Sequence, residues 1–275
     1  LSPSHARWPI IDEVAAATKK PPTEGLFDRA PDAMRAPQDP IAVPRRAGEG
    51  PEEPLSFRQI IRQRRSAVIM DSQGSIDGDA FCHILLKTLA DPGQFPFNSL
   101  PWYPLVDLFL FVHRVKGLER GLYLLVRSPA RREALQRAMK EDFTWERPAS
   151  CPASLDLYRL VAGDVQAVAR QLSCQQAIAS DGCFSLGMLA QFQEPLERFG
   201  PWFYRRLFWE CGMIGQVLYL EAEAAGLRGT GIGCFFDEPV HQLLGLETAE
   251  YQSLYHFTVG HPIEDSRLTT LPAYP

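Results

Sequence analysis

The chain lacks any hydrophobic run long enough to cross a bilayer. Its longest stretch without a formal charge, residues 92–106, is interrupted by prolines, whereas a membrane-spanning helix needs about 20 apolar residues. Long basic runs are also missing, and 28 Lys and Arg residues against 33 Asp and Glu residues give a net charge of −5. Because a mildly acidic chain does not attract a phosphate backbone, the composition argues against both a membrane protein and a nucleic-acid-binding protein.

Cysteine pairs with metal-ligand spacing are missing as well. The six cysteines are scattered, and they are Cys82, Cys151, Cys174, Cys183, Cys211 and Cys234. Among the histidines, only His256 and His261 approach metal-ligand spacing, and no cysteine pair accompanies them to complete a tetrahedral site. Since most of the cysteines stand in apolar surroundings, we interpret them as reduced core residues. We therefore expect a cytoplasmic protein without a metal site.

Proline is present but unevenly distributed, and it divides the chain. Ten of the 23 prolines lie in the first 54 residues, where proline removes backbone donors and fixes φ. We therefore predict a proline-rich linker or arm over residues 1–54, with one short helix at residues 10–18, and a folded domain over residues 55–275. The composition of the arm favours disorder. Its apolar side chains favour packing on a partner or on the domain, and they are Trp8, Ile10, Ile11, Val14, Leu26 and Phe27.

Residues 55–275 carry the pattern of an α+β domain. Continuous apolar runs at residues 105–112 and 121–126 predict two buried strands that pair in antiparallel orientation. The longest helix is predicted over residues 203–225, and its apolar side chains on both faces indicate burial in a core or in a dimer interface. Further strands are predicted at residues 183–192, 229–235 and 251–259, and further helices before residue 65, after Asp77, at residues 129–140, after Asp164 and at residues 237–243.

Two groups of cationic residues could hold a phosphate. Arg64, Arg65 and Ser66 follow one another at the predicted end of a helix, and paired guanidinium groups beside a hydroxyl bind phosphate through charge-assisted hydrogen bonds. Arginines at a helix C-terminus also simply complement the helix dipole. Arg267, after the last predicted strand, is either a second phosphate ligand or an ordinary surface arginine. Both interpretations stay open for each group.

A third motif is rich in glycine and comes directly after the long helix. Residues 229–237 read GTGIGCFFD, and closely spaced glycines let backbone N–H groups approach a flat or anionic ligand. The motif is not a dinucleotide-binding fingerprint, because its glycines precede a strand instead of joining a strand to a helix. A tight entry into the strand explains the same glycines equally well.

In combination, these segments resemble the nitroreductase superfamily, and most closely its SagB-type dehydrogenase branch, which contains the thiazole- and oxazole-forming azoline oxidases. The resemblance covers about residues 55–274, and it rests on the order of RRS, GLYLL, YRRLFWECGMIGQVLYLEAEAAGL, GTGIGCFFDEPVHQLLGL and YQSLYHFTVGHPIEDSRL. The opening residues 1–20 resemble the linker between the halves of tandem members. Because the chain also begins at Leu1, we expect it to be the C-terminal half of a longer tandem protein.

The resemblance implies an α+β flavoprotein with a central, mostly antiparallel sheet flanked by helices, and with the long helix at an interface between two modules. FMN is expected at that interface, with a second copy or a tandem nitroreductase-like half as partner and a small molecule or peptide as substrate. Carried over by position, the cofactor-binding residues are Arg64, Arg65, Ser66, Gly231, Ile232, Gly233 and Arg267. Further residues expected near the interface or the flavin are Tyr204, Glu210, Gln216 and residues 174–176.

The chain departs from the family pattern at two places. The family motif reads RRSxR, and Val68 replaces its last arginine. Azoline dehydrogenases carry a Lys-Tyr pair, thought to move the substrate proton, where this chain has Arg198 and Phe199; an arginine stays protonated near neutral pH. We therefore predict an FMN-dependent oxidoreductase that transfers hydride through flavin N5, with no catalytic residue assigned. The alternative is a catalytically degenerate module that serves a second flavin-binding half as a structural or peptide-binding partner.

Overall fold

The computed structural model describes residues 7–22, 55–90 and 95–267, together with residues 269 and 271. Leu26, Phe27 and most of the predicted arm lie outside the described residues. The helices are α1 (Pro9–Ala17), α2 (Phe57–Gln63), α3 (Gly78–Leu86), α4 (Arg132–Ala138), α5 (Gln166–Leu172), α6 (Ile178–Asp181), α7 (Gln193–Phe199), α8 (Tyr204–Ala224) and α9 (Asp237–Leu244). The strands are β1 (Ile69–Met70), β2 (Ile76–Asp77), β3 (Val106–Val112), β4 (Val115–Lys116), β5 (Gly121–Leu125), β6 (Leu157–Ala162), β7 (Phe184–Gln191), β8 (Arg228–Ile232), β9 (Tyr251–Gly260) and β10 (Pro262–Ile263).

A six-stranded sheet forms the centre of the fold. Its strand order is β6-β5-β3-β7-β9-β8, and every neighbouring pair is antiparallel. The short strands form two further pairs, with β1 antiparallel to β10 and β2 parallel to β4. The predicted α+β architecture with a mostly antiparallel sheet flanked by helices is therefore confirmed, and the glycine-rich strand β8 lies at one edge of the main sheet.

Strand β3 shows how the sheet separates two apolar layers. Successive side chains of a strand point to opposite faces, and all seven residues of β3 are buried. Leu108 and Leu110 pack in the layer that contains α3 and α8, whereas Phe109 and Phe111 pack in the layer that contains α4, α5 and α9. A strand with helices on both faces needs no polar side, which explains the continuous apolar run in its sequence.

The long helix α8 covers one face of the sheet over 21 residues. Leu207, Cys211, Ile214 and Leu218 recur at helical spacing, and each is at most 1% exposed in the core beneath the helix. The helix ends where Gly226 adopts φ +73°, a conformation that glycine reaches without steric cost. The boundaries predicted for this helix are thus confirmed to within a residue at each end, whereas its place at an interface between modules stays a prediction.

Two buried ion pairs fasten the centre of the fold. Asp107, the one charged residue in β3, pairs with Arg131 at 2.9 Å and also accepts the Arg127 backbone N–H at 2.7 Å. The Arg127 guanidinium reaches Glu210 of α8 at 2.6 Å, and neither of these two side chains is exposed to solvent. Each buried charge therefore meets an opposite charge, as burial in a low-dielectric interior requires.

The cysteines correct one expectation from the sequence. Cys174 and Cys234 form a disulfide with their Cα atoms 5.9 Å apart, so interpreting these two as reduced core residues was wrong. Cys82, Cys183 and Cys211 are free and buried, as expected. Cytoplasmic localisation stays a prediction, without the support it drew from the cysteines. Over the described residues, no helix has the length and apolar character needed to cross a membrane.

Helix α1 confirms the one helix predicted in the N-terminal arm. Pro9 occupies its first turn, where the missing N–H costs nothing. Arg205, at the start of α8, donates to the Thr18 hydroxyl at 2.9 Å and to the Ala15 carbonyl at 3.2 Å. The helix therefore packs against the domain through polar contacts, while Ile11 remains 63% exposed. The boundary between arm and domain stays a prediction.

Candidate functional site

The arginine-serine motif, residues 64–66, follows helix α2 and lies near the edge of the main sheet. Ser56 and Gln59 form a capping box that starts the helix. Its far end is tied to α8 because Gln63 donates to Glu223 at 2.9 Å. Arg64 then leaves the helical conformation at φ −50° and ψ 128°. The residues that follow, 65–67, belong to no helix or strand.

The hydroxyl of Tyr219 joins this segment to the glycine strand. It lies 2.8 Å from the Ser66 hydroxyl and accepts the Gly231 backbone N–H at 2.9 Å. The Arg64 guanidinium lies over the same tyrosine ring, 4.8 Å from its centre, a cation–π arrangement. Thr230 adds a second link, since its hydroxyl donates to the Ala67 carbonyl at 2.8 Å. We call this junction of residues 64–67, Tyr219 and residues 230–233 the β8-edge site.

The glycines of the β8-edge site have different surroundings. A Cβ atom at Gly231 would collide with the Tyr255 hydroxyl, whereas a Cβ atom at Gly233 would meet no atom within 4 Å. Gly231 is therefore a glycine because of close packing, and Gly233 lies beside open space. Ile232, between them, points into the protein and is 2% exposed. Of these three predicted residues, Gly233 leaves its backbone the most accessible.

The other predicted arginines lie nearby but use different partners. Because β1 and β10 are antiparallel, with Ile69 opposite Ile263, the residues before β1 and those after β10 are brought to the same side of the fold. Arg65 accordingly donates to the Leu271 carbonyl at 3.4 Å. Arg267 is 84% exposed and pairs with Asp265 at 2.7 Å. The hydrogen bond between them raises the pKa of the guanidinium and lowers that of the carboxyl.

The disulfide lies immediately after the glycine strand. Cys234 follows Gly233 in sequence and is bonded to Cys174, and Gln176 donates to the Cys234 carbonyl at 3.1 Å. Cys174 and Gln175 both adopt positive φ, at 53° and 62°, which side chains other than glycine rarely do. Residues 174–176 therefore lie beside the end of the glycine motif, whereas their expected approach to a flavin stays a prediction.

Glu210 and Arg198, both named in the sequence analysis, have partners within the domain. Glu210 is fully buried in the ion pair with Arg127 and accepts the Leu105 backbone N–H at 3.0 Å, so it supports the fold. Arg198, at the position of the family's lysine, is held near Glu194 at 3.9 Å and lies over the Phe199 ring. In the described part of the chain, no three His, Cys, Asp or Glu side chains are grouped closely enough to hold a metal ion.

Sequence reasoning missed the two tyrosines that organise the site and the histidine behind it. Tyr219 and Tyr255 contact Gly231 from different elements, α8 and β9. His256 is buried, stacks on Phe235 with ring centres 4.2 Å apart, and burial lowers its pKa to about 3. It is therefore neutral at physiological pH. The spacing of Tyr219 from the glycine motif was the only available signal for its role, and it is weak without a structure.

Comparison with known proteins agrees with the geometry. The model of the Nitroreductase family matches residues 121–261, which is just over half of the chain. The chain therefore belongs to the nitroreductase family, and this membership supports a general oxidoreductase function. No curated protein sequence matches it.

Solved structures share the fold at low sequence identity. A protein of Anabaena variabilis assigned as a nitroreductase aligns with a TM-score of 0.58 and 20% identity over 75% of this chain, which spans 38% of that protein's length. One chain of the Escherichia coli microcin synthetase McbBCD complex, with truncated pro-MccB17 bound, aligns with a TM-score of 0.53 and 15% identity over 94% of this chain and 93% of its own. Similarity at this level shows the fold alone.

Proposed function

We propose that the chain is an FMN-dependent oxidoreductase of the nitroreductase family, of the SagB-type branch, which transfers hydride through flavin N5 and shares its site with a second module. The observation that carries the proposal is the β8-edge site itself. There the Tyr219 hydroxyl connects the Arg64–Ser66 segment to the backbone of Gly231. Family motifs that are separate in sequence thus meet at one edge of the sheet.

The residues present fit FMN on two counts. First, the open space beside Gly233 leaves the backbone accessible to a planar ring, as close approach to a ligand requires. Second, Arg64, Arg65 and Arg267 lie on two chain segments that β1 and β10 hold side by side, and guanidinium groups suit a phosphate. Bound FMN would supply the ring that accepts and donates hydride.

The chain's own residues would then bind the flavin and orient it. Arg64 and Arg267 would hold the phosphate by charge, and Ser66 would add a hydroxyl donor or acceptor. Tyr219 has a positioning role, because its hydroxyl fixes Ser66 and Gly231 relative to each other. Arg198 remains protonated near neutral pH, so it can contribute charge but cannot accept a proton from a substrate.

A second module is proposed as the partner that completes the site. Helix α8 has apolar side chains that the described residues leave partly uncovered, with Phe208 38% and Trp209 53% exposed. Exposed aromatic residues of this kind are typical of interfaces. The partner is either a second copy or a nitroreductase-like half that precedes this chain in a longer protein. The similarity to a subunit of a multi-subunit synthetase complex is consistent with assembly of this kind.

FMN binding is the direct test. We expect purified protein to show flavin absorbance, or to quench the fluorescence of added FMN in a saturable titration. Arg64→Ala and Arg267→Ala should each weaken FMN binding. Arg58→Ala is the matched control, because it removes an exposed arginine from the helix that precedes the motif and should leave the affinity unchanged.

The result that would overturn the flavoenzyme is protein that stays colourless and does not bind FMN under any condition, alone or with a partner. If FMN binds, anaerobic reduction by NAD(P)H followed by a quinone or nitroaromatic acceptor separates a reductase from a substrate dehydrogenase. Light scattering in solution reports the assembly. A Trp209→Asp variant should shift a dimer toward monomer, since a charge in an apolar interface is unfavourable.

The alternative is a module that has lost catalysis and supports a second half. Val68, which replaces the last arginine of the family motif, is 64% exposed and has no charge to offer a phosphate. Arg198 replaces the family's lysine. This alternative predicts protein that does not reduce acceptors alone but increases FMN binding or activity when a catalytically competent half is added.

A further inference from the structure

Two free thiols that are not part of the β8-edge site lie against each other. Cys82 is on α3, and Cys151 is in the loop that precedes β6, 69 positions later in the sequence. The Cys82 thiol donates to the Cys151 sulfur across 3.1 Å, and Cys82 is 4% exposed. A disulfide bond is about 2.05 Å long, so an approach of about 1 Å would join the two sulfur atoms.

The two sulfurs have unequal chemical character. The hydrogen bond from Cys82, against the opposing effect of burial, lowers the pKa of Cys151, with smaller contributions from Ser150 and the positive charge of Arg147. The same hydrogen bond, together with burial, raises the pKa of Cys82. Cys151 is also the less buried of the two, and because the thiolate is the nucleophile, we expect Cys151 to react before Cys82.

The two residues that precede Cys151 in its loop are exposed at the surface. Ala149 and Ser150, which come directly before it, line a pocket of about 320 Å³. Cys151 itself is only partly buried. Arg147 fixes the base of the loop by donating to the carbonyls of Ala153 at 2.6 Å and Leu155 at 3.1 Å. The loop is therefore anchored, yet the residues around Cys151 belong to no strand or helix.

The remaining cysteines lack this combination. Cys183 and Cys211 are buried, and burial raises the pKa of Cys183 to about 11 and that of Cys211 further. Cys174 and Cys234 are already bonded to each other. Of the four free cysteines, Cys82 and Cys151 are the two whose sulfur atoms are joined by a hydrogen bond.

We propose that Cys151 and Cys82 form a peroxide-reactive dithiol that closes to a disulfide. The Cys151 thiolate attacks a peroxide oxygen, the O–O bond breaks, and Cys151 becomes a sulfenic acid while hydroxide, or an alkoxide from an organic peroxide, leaves. The Cys82 sulfur then attacks the Cys151 sulfur, and the sulfenic oxygen leaves with the Cys82 proton as water. Two electrons pass from the thiol pair to the peroxide, and the new bond ties the loop to α3.

The test uses the purified full chain and hydrogen peroxide in small excess. Alkylation of the denatured protein should label four thiols before peroxide and two afterwards, and the mass of the oxidised protein should fall by about 2 Da. Peptide mapping should link Cys82 to Cys151, and dithiothreitol should reverse the link. The alkylatable thiol of Cys151 should disappear at least about tenfold faster than that of Cys211, because a thiolate reacts far faster than a buried thiol.

Three variants test the roles of the two thiols separately. Cys82→Ser should stop at a Cys151 sulfenic acid that dimedone traps, whereas Cys151→Ser should leave Cys82 unmodified. Cys211→Ser is the matched control, since it removes a buried thiol outside the pair, and the link should form as in the original chain. Four thiols that all remain alkylatable, a link from Cys151 to any cysteine other than Cys82, or oxidation of Cys82 in the Cys151→Ser variant would overturn the proposal.

Discussion

Replacing Glu210 with glutamine would measure how much charge pairing holds α8 on the sheet. The Glu210 carboxylate meets the Arg127 guanidinium at 2.6 Å with neither side chain exposed, and it accepts the backbone N–H of Leu105 at 3.0 Å and of Val106 at 3.3 Å. Glutamine keeps an oxygen that can accept from these N–H groups but has no charge. The guanidinium is then left buried without its counter-ion.

Removing one partner of a buried ion pair costs about 3–5 kcal/mol. The retained acceptor places Glu210→Gln near the lower end of that range, and a domain of this size loses about 2–4 °C in Tm per kcal/mol. We therefore expect a free energy of unfolding about 3 kcal/mol lower in urea titrations and a Tm about 6–12 °C lower. Glu194→Gln, which breaks an exposed contact of 3.9 Å with Arg198, should change stability by less than about 0.5 kcal/mol.

A double-mutant cycle measures the interaction energy between Arg127 and Glu210 separately from their contacts with other groups. Arg127→Met combined with Glu210→Gln removes both charges, so the double variant should be more stable than the sum of the two single losses predicts, by about 1–3 kcal/mol. Simple addition of the two single losses would refute the reasoning. The same conclusion would follow if Glu210→Gln unfolded at the original urea concentration.

Tyr219→Phe keeps the ring but removes the hydroxyl that Ser66 and the Gly231 N–H share, so we expect a loss of about 1–2 kcal/mol in urea titrations and weaker FMN binding. Gly231→Ala should cost about 1–3 kcal/mol by the same measurement, because its Cβ would overlap the Tyr255 hydroxyl. Burial lowers the pKa of His256 to about 3, so the unfolded chain binds a proton below about pH 6.5 that the folded chain does not. The free energy of unfolding should therefore decrease as the pH falls from 6.5 toward 3, by about 2 kcal/mol from this residue at pH 5, and His256→Gln should reduce that dependence.

The first two of these predictions each have a control of the same chemistry. Tyr123→Phe removes a hydroxyl that donates to the Glu119 carbonyl, away from the glycine strand, and should not alter FMN binding. Gly212→Ala places a Cβ where no atom lies within 4 Å, and it should not destabilise a helix. Equal effects from a variant and its control would contradict the corresponding explanation.

The elements with strong periodicity were predictable from the sequence. The predicted long helix, residues 203–225, differs by one residue at each end from Tyr204–Ala224, because its apolar spacing and terminal glycine are both local signals. Strand β8 was predicted too long, to residue 235, whereas pairing ends at Ile232. The chain leaves the sheet there, and Phe235 stacks on His256 instead, a contact between elements that no local pattern contains.

Other elements and most of the site contacts could not be predicted. Strand β6 at Leu157–Ala162 was missed because its exposed end and Arg159 weaken the apolar pattern, and α7 was missed because Pro195 and several charges obscure its periodicity. The arginine-serine motif was found, yet its connection to Tyr219 spans 153 positions. The Cys174–Cys234 disulfide could not be predicted for the same reason, because its two cysteines are 60 positions apart in the sequence.

The pairing of β1 with β10 has a consequence for the order of folding during synthesis. Ile69 pairs with Ile263, so the strand that leaves the ribosome first waits for nearly all of the remaining domain before its partner exists. Contacts this distant in sequence form late, because the cost of closing a long loop must first be offset by other structure. A nascent chain can therefore assemble β3, β5, β6 and β7 while the segments that carry Arg64 and Arg267 are still apart. Whatever this edge binds, it becomes a complete binding surface only after β10 has been synthesised.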